Sequence, residues 1–176
     1  TFVGGERIAT DTVVWCAGMV ASPLAKCLPG ARDRLGRLPV DEFMKLEGVE
    51  NVYAAGDIAT AMLTDEHTSV MSCQHARPMG RFAGHNAVSD LFGEKQLALR
   101  IPDYSTCLDL GPEGAVQTQG WNRLVFETGA KAKQTKQIIN CVRIYPPGSG
   151  DRSEILAAAA PVVQAAPGRL GELADA

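Results

Sequence analysis

No stretch of this 176-residue chain approaches the roughly 20 consecutive apolar residues that span a bilayer, so no transmembrane helix is expected. The opening Thr1-Phe2-Val3-Gly4-Gly5 has no basic start, apolar segment or cleavage site, which excludes a signal peptide there. It has no initiator Met either, and we expect a piece cut from a longer protein. None of the five cysteines (Cys16, Cys27, Cys73, Cys107, Cys141) forms a CxxC pair. An odd number without such pairs argues against a disulfide framework, a zinc ribbon and a CxxC redox centre. The expectation is reduced, mostly buried thiols in a cytosolic protein. His67, Cys73 and His75 match no standard ligand spacing, so no metal site is expected. A net charge of −3 creates no field that would recruit nucleic acid. Internal repeats are absent.

What is present is punctuated α/β patterning. Phe2-Val3, Gly4-Gly5 and Arg7-Ile8 have the form of a short hairpin. Thr12-Val13-Val14-Trp15-Cys16 is a continuous apolar run, which suits a strand covered on both faces. Ser22 to Asp33 is broken by Pro23, Pro29 and Gly30. Gly36-Arg37-Leu38-Pro39-Val40-Asp41 reads as a turn into a brief edge strand, where a proline is tolerated. Asn51-Val52-Tyr53-Ala54-Ala55-Gly56-Asp57 reads as a buried strand ending in a Gly-Asp pair, followed by a loop from Ile58 to about Thr68. In open α/β sheets ligands bind beyond the carboxyl ends of strands. Small residues at 54–56 let a bulky ligand approach the backbone, and Asp57 offers a carboxylate to a ligand hydroxyl.

Between Ser69 and Phe92 apolar residues recur at spacings of three and four, with Gly93 where a helix-terminating residue belongs. Pro78 lies inside this pattern and must kink the helix or open its second half. Beyond Pro102, the segments 104–110, 115–119 and 121–128 read as three strands, and 130 to about 144 as a basic helix. Lys131, Lys133, Lys136 and Arg143 on that helix are read as a solvated face, with weak attraction to anionic lipid second. The Ala- and Pro-rich remainder is read as a weakly ordered tail.

Three segments in order, Asp11–Gly18, Gly36–Asp41 and Asn51–Asp57, together resemble the C-terminal portion of the pyridine nucleotide-disulfide oxidoreductase superfamily. In those flavoproteins the first segment returns the chain from the NAD domain to the FAD domain, and the last gives an aspartate to the ribityl chain of FAD. Met71-Ser72-Cys73-Gln74-His75-Ala76-Arg77-Pro78-Met79-Gly80 is similar to the alanine-glutamine helix of type II NADH dehydrogenases, which begins beside the flavin ring near the quinone site. Cys73, His75 and Pro78 depart from that pattern. The resemblance implies an α/β fold class: a partial two-dinucleotide-binding FAD/NAD(P) fold over 1–98, a small α+β C-terminal domain over 99–148, and the tail over 149–176.

The same resemblance implies a flavin-dependent oxidoreductase that moves hydride from NAD(P)H to FAD and electrons to a quinone-like acceptor. Gly56, Asp57, Ser72, Cys73 and Gln74 become the cofactor-binding candidates, with no acid–base catalyst among them. Alternatives are another acceptor on the same scaffold (sulfide:quinone, ferredoxin or disulfide reductase) and a non-enzymatic interaction or dimerisation module. Gly4-Gly5 and Gly148-Ser149-Gly150 do not continue as G-x-G-x-x-G, so the chain by itself should retain neither FAD nor NAD(P)H. Uncovered sheet edges would favour self-association. Expected localisation is cytoplasmic, extending to peripheral contact with the inner face of the membrane.

Overall fold

A computed structural model describes residues 3–165. The chain enters through a turn at Val3–Gly5 and runs extended and exposed to Val20. Arg7 and Ile8 lie outside any strand, so the expected hairpin is absent among the described residues; Thr1 and Phe2 lie outside them. Residues 12–16 also form no strand, and Trp15 is 85% exposed. An apolar run becomes a covered strand only when neighbouring strands bond both its edges. No described segment pairs with this one.

Order begins at Ala21, whose N–H donates to Leu35 O at 2.8 Å. A 3₁₀ turn over Pro23–Cys27 is capped by the Ser22 hydroxyl, which accepts from Leu24 N–H. Strand β1 (Leu38–Pro39) pairs in parallel with β2 (Ala59–Thr60), matching the brief strand expected after Gly36. Asn51–Asp57 is not the full strand expected: Tyr53 makes one antiparallel bridge to Lys45, and Gly56–Ile58 closes into a 3₁₀ turn. Its neighbour, residues 44–46, is too short to extend the ladder. The expected loop beyond Ile58 instead carries β2 and a bridge between Met62 and Thr68.

Helix α1 (Cys73–Phe92) ends at Gly93 in the left-handed conformation, φ 68°, as its position promised. Pro78 is tolerated six residues into the helix. Met79, Phe82 and Ala83 face inward onto Leu38, Met44, Leu46 and Leu63. Burying side chains of this size contributes about 1.5–3 kcal/mol each. Leu99 and Ile101 close the core, tied by backbone bonds to Glu42 O at 2.8 Å and Leu63 O at 3.1 Å. Asn86, also inward and fully buried, donates to Phe43 O and Leu97 O and accepts from Leu97 N–H. The helix thereby holds two loops without an unpaired polar group.

The three expected strands, β3 (Ser105–Asp109), β4 (Ala115–Gln119) and β5 (Leu124–Thr128), pair as an antiparallel meander. Helix α2 (Gly129–Ile138) continues into a π turn over Ile139–Arg143 and buries Ala132 and Thr135. The architecture is thus α/β, followed by a small α+β unit. Arg152–Ala158 forms α3, with the Asp151 carboxylate accepting from Glu154 N–H. That N-terminal cap organises part of what composition alone marked as tail; residues 166–176 of that stretch lie outside the described residues. Four of the five cysteines are exposed and Cys107 is half-buried, contrary to expectation, because they fall on termini, loops and helix outer faces.

Candidate functional site

The start of α1 is anchored from behind. Arg37, nearly buried, binds the Asp33 carboxylate at 2.7 Å and donates to Ser69 O at 2.6 Å. The Ser69 backbone N–H donates to Ala61 O at 2.8 Å, and its hydroxyl accepts from Ala61 N–H. These bonds fix where the chain turns from β2 into the helix. Ser72, the residue before α1, keeps its hydroxyl off the helix end; Oγ is buried with no hydrogen-bond partner among the described residues.

Gly56 lies against the first turn of α1. A Cβ placed on it would meet the Ala76 methyl at 3.6 Å, an ordinary contact, so φ of +75° rather than space is what favours glycine. Asp57 beside it is exposed. The two halves of the expected site, the Gly-Asp turn and the helix start, are therefore neighbours. Ser72, Cys73 and Gln74 line a cavity of about 570 Å³, whereas Gly56 and Asp57 lie outside its wall.

His75 is fully buried behind this wall. Its Nδ1 accepts from Val70 N–H at 2.9 Å, and burial pushes its pKa down to about 4. With Nδ1 accepting, the neutral ring carries its hydrogen on Nε2, which lies 3.4 Å from Gln74 Nε2, so the ring edge packs against the Gln74 amide. Gln74 is thereby oriented by a packing histidine. Trp121 is sandwiched between His67 and Tyr104, with ring centroids at 4.1 and 4.4 Å and planes within 12°. His75 tilts against both Tyr104 and Trp121. This stack joins the α1 region to the three-stranded sheet and holds Tyr104 in the cavity wall.

Sequence reasoning missed the far side of the cavity. Lys136 and Arg143, read as parts of a solvated face, line it together with Arg77 and Arg81. Burial, then the charges of Arg81 and Arg143, hold the Arg77 pKa below its usual value; burial does the same at Arg143. The available signal was the i,i+4 spacing of Arg77 and Arg81, which puts two like charges on one side of α1. Cys107 also lines the cavity, and burial pushes its thiol pKa up.

The family model for pyridine nucleotide-disulphide oxidoreductases matches residues 2–80. NADH dehydrogenase-like proteins from two Mycobacterium tuberculosis strains, CDC 1551 / Oshkosh and ATCC 25618 / H37Rv, are each 61% identical over 167 residues, 95% of this chain and 42% of the relative. A demethylphylloquinone reductase from Synechocystis sp. (strain ATCC 27184 / PCC 6803 / Kazusa) is 28% identical over 111 residues, 63% of this chain and 28% of that protein. The chain thus spans about two fifths of the length of its mycobacterial relatives. The chain belongs to the pyridine nucleotide-disulphide oxidoreductase superfamily, in its type II NADH dehydrogenase-like group.

Proposed function

We propose that this chain is the C-terminal portion of a flavin-dependent oxidoreductase that passes hydride from NAD(P)H to FAD and electrons onward to a quinone-like acceptor. The observation that carries the reading is the meeting of the Gly56–Asp57 turn with the first turn of α1, beside a cavity into whose wall Ser72 is built. The residues fit a flavin: the Ser72 hydroxyl is buried without a partner among the described residues, and the N–H groups of Cys73 and Gln74 precede the first bonds at the start of α1, which His75 and Ala76 make to Ser72 O. FAD, when bound, supplies the hydride and electron chemistry. The protein's own tasks are placement and electrostatics. Asp57 accepts hydrogen bonds from ribityl hydroxyls and sets the depth of the ring. The partial positive charge at the start of α1 favours negative charge on an oxygen edge placed there. Ser72 and Cys73 give backbone contacts at that edge, and Gln74 offers an amide to the ring or to an acceptor carbonyl.

The demethylphylloquinone reductase among the relatives supports a quinone-like acceptor. Cys73 and Cys107 both line the cavity, which brings a sulfide or disulfide reductase into view. That chemistry needs a thiolate. Burial works against one at Cys107, so the quinone-like reading leads. Among the described residues no helix is long and apolar enough to cross a membrane. Contact with the inner membrane face is assigned to the basic side chains of α2, and self-association to the uncovered apolar segment at 13–20. The test of the reading is Asp57→Ala in the complete protein, read as flavin absorbance per polypeptide after desalting. We expect flavin content to fall at least tenfold; wild-type content removes Asp57 from the site, whereas a parent protein that holds no flavin favours an interaction module. NADH oxidation assayed with quinone, sulfide and ferricyanide then separates the acceptors.

A further inference from the structure

The cavity beside α1 is unusual in its charge. Among the described residues, Arg77, Arg81, Arg100, Lys136 and Arg143 line it against a single acid, Asp103. Arg100 has carboxylate partners in Asp65 and Glu42. Arg77, Arg81, Lys136 and Arg143 have no carboxylate partner among the described residues. Arg81 and Arg143 donate instead to the backbone oxygens of Val162 and Ala165, which crosses this side of the cavity as a neutral strap. Three arginines within electrostatic reach of one another, partly buried and unpaired with acids, repel one another and destabilise the empty cavity. A bound anion removes that cost.

Ile101, Ile139 and Ile144, with Tyr104 held in place by the Trp121 stack, give the wall an apolar part beside the polar Ser72, Gln74, Ser105 and Thr106. A mainly apolar cavity wall with several guanidinium groups suits an aromatic ring with one ionised substituent, since arginine both stacks and pairs with oxygen anions. The segment presenting Ile139 and Arg143 is the π turn, whose wider winding redirects both side chains relative to a continued α2.

We propose that this cavity selects an acidic acceptor, a quinone-like ring carrying an ionised oxygen, through Arg77 and Arg143. This rests on the acceptor reading above and names the charge of what that site takes.

The test uses two ligands of similar shape, one anionic and one neutral. One is 2-hydroxy-3-methyl-1,4-naphthoquinone, ionised at neutral pH; the other is 2,3-dimethyl-1,4-naphthoquinone, always neutral. Both ring positions are substituted, which blocks addition of Cys73 or Cys107. Titration calorimetry on the complete protein is expected to show the anion binding at least about tenfold more tightly, as expected for charge-assisted pairing. That preference should collapse in Arg77→Gln and Arg143→Gln and return in Arg77→Lys. Raising salt to about 0.5 M should weaken the anion alone. Unchanged melting temperature shows that the variants remain folded; if one variant unfolds, the other and the salt series still decide. Equal affinity for the two quinones overturns the charge inference and leaves the acceptor cavity standing. No binding of either quinone sinks the acceptor cavity, and the inference with it. Displacement of the anionic quinone by inorganic phosphate at equal concentration means the ring contributes nothing, and that also overturns the proposal.

Discussion

His75 shows how one buried side chain acquires a pH dependence. Its pKa falls from 6.5 to about 4 on folding because burial disfavours the charged ring. The unfolded chain therefore binds a proton between those limits that the folded chain does not. Stability from this group is complete above pH 6.5, declines as pH falls toward about 4, and levels off below that. The expected loss is on the order of 1–3 kcal/mol. Urea midpoints measured across that interval should slope for the parent and flatten in His75→Asn, whose amide oxygen keeps an acceptor for Val70 N–H. Parallel slopes would remove His75 as the cause. Two glycines of one turn give a second residue-scale comparison. A Cβ on Gly114 would lie 2.6 Å from the Gly129 backbone at φ +103°, whereas Gly111, at φ +64°, has open space. Gly111→Ala should cost about 1 kcal/mol from backbone conformation alone. Gly114→Ala should cost about 2–4 kcal/mol, because backbone on both sides must move. Thermal melts of the two variants that coincide would contradict this.

At the scale of elements, α1, α2 and the three-stranded meander were legible because their signals are local. Periodicity of three and four, Gly93 past the last turn and glycines between β-rich segments all act within a few residues. Asn86 was legible as an inward position but not as a clasp, since its partners at 43 and 97 lie in other segments. Asn86→Ala should destabilise the chain by about 1–3 kcal/mol, as it removes the three hydrogen bonds that hold Phe43 and Leu97 to the helix. Amide hydrogen exchange should quicken first around residue 97; a uniform change along the whole chain would count against a local clasp. The segment at 12–16 misled for the opposite reason. Its composition states a preference for strand, but a strand exists only as part of a ladder, and ladder partners are a property of the surroundings. The helix α3 was missed because alanine and proline content outweighed the single capping aspartate at 151.

For the molecule as a whole, the uncovered segment carries the main physical consequence. Val13, Val14, Trp15, Met19 and Val20 are all more than half exposed and lie close together in sequence. Such surface drives association unless something covers it. Light scattering should give an apparent mass that rises with concentration, and Val14→Lys with Trp15→Lys should return it toward the monomer. A concentration-independent monomer in the parent would show that this segment is harmless in solution.

The sequence by itself determined the superfamily, the long helix α1, the three-stranded sheet with α2, and the candidates at the Gly56–Asp57 turn and the start of α1, because turns, caps and periodic faces are encoded within short windows. Tertiary structure alone decided that Gly56 meets Ala76, that His75 is buried and neutral, and that Trp121 lies between His67 and Tyr104. It also decided that arginines and a lysine from α1, α2 and the following turn share one cavity. Side chains more than fifty residues apart meet only when packing brings their elements together, and no local window of the sequence contains that distance.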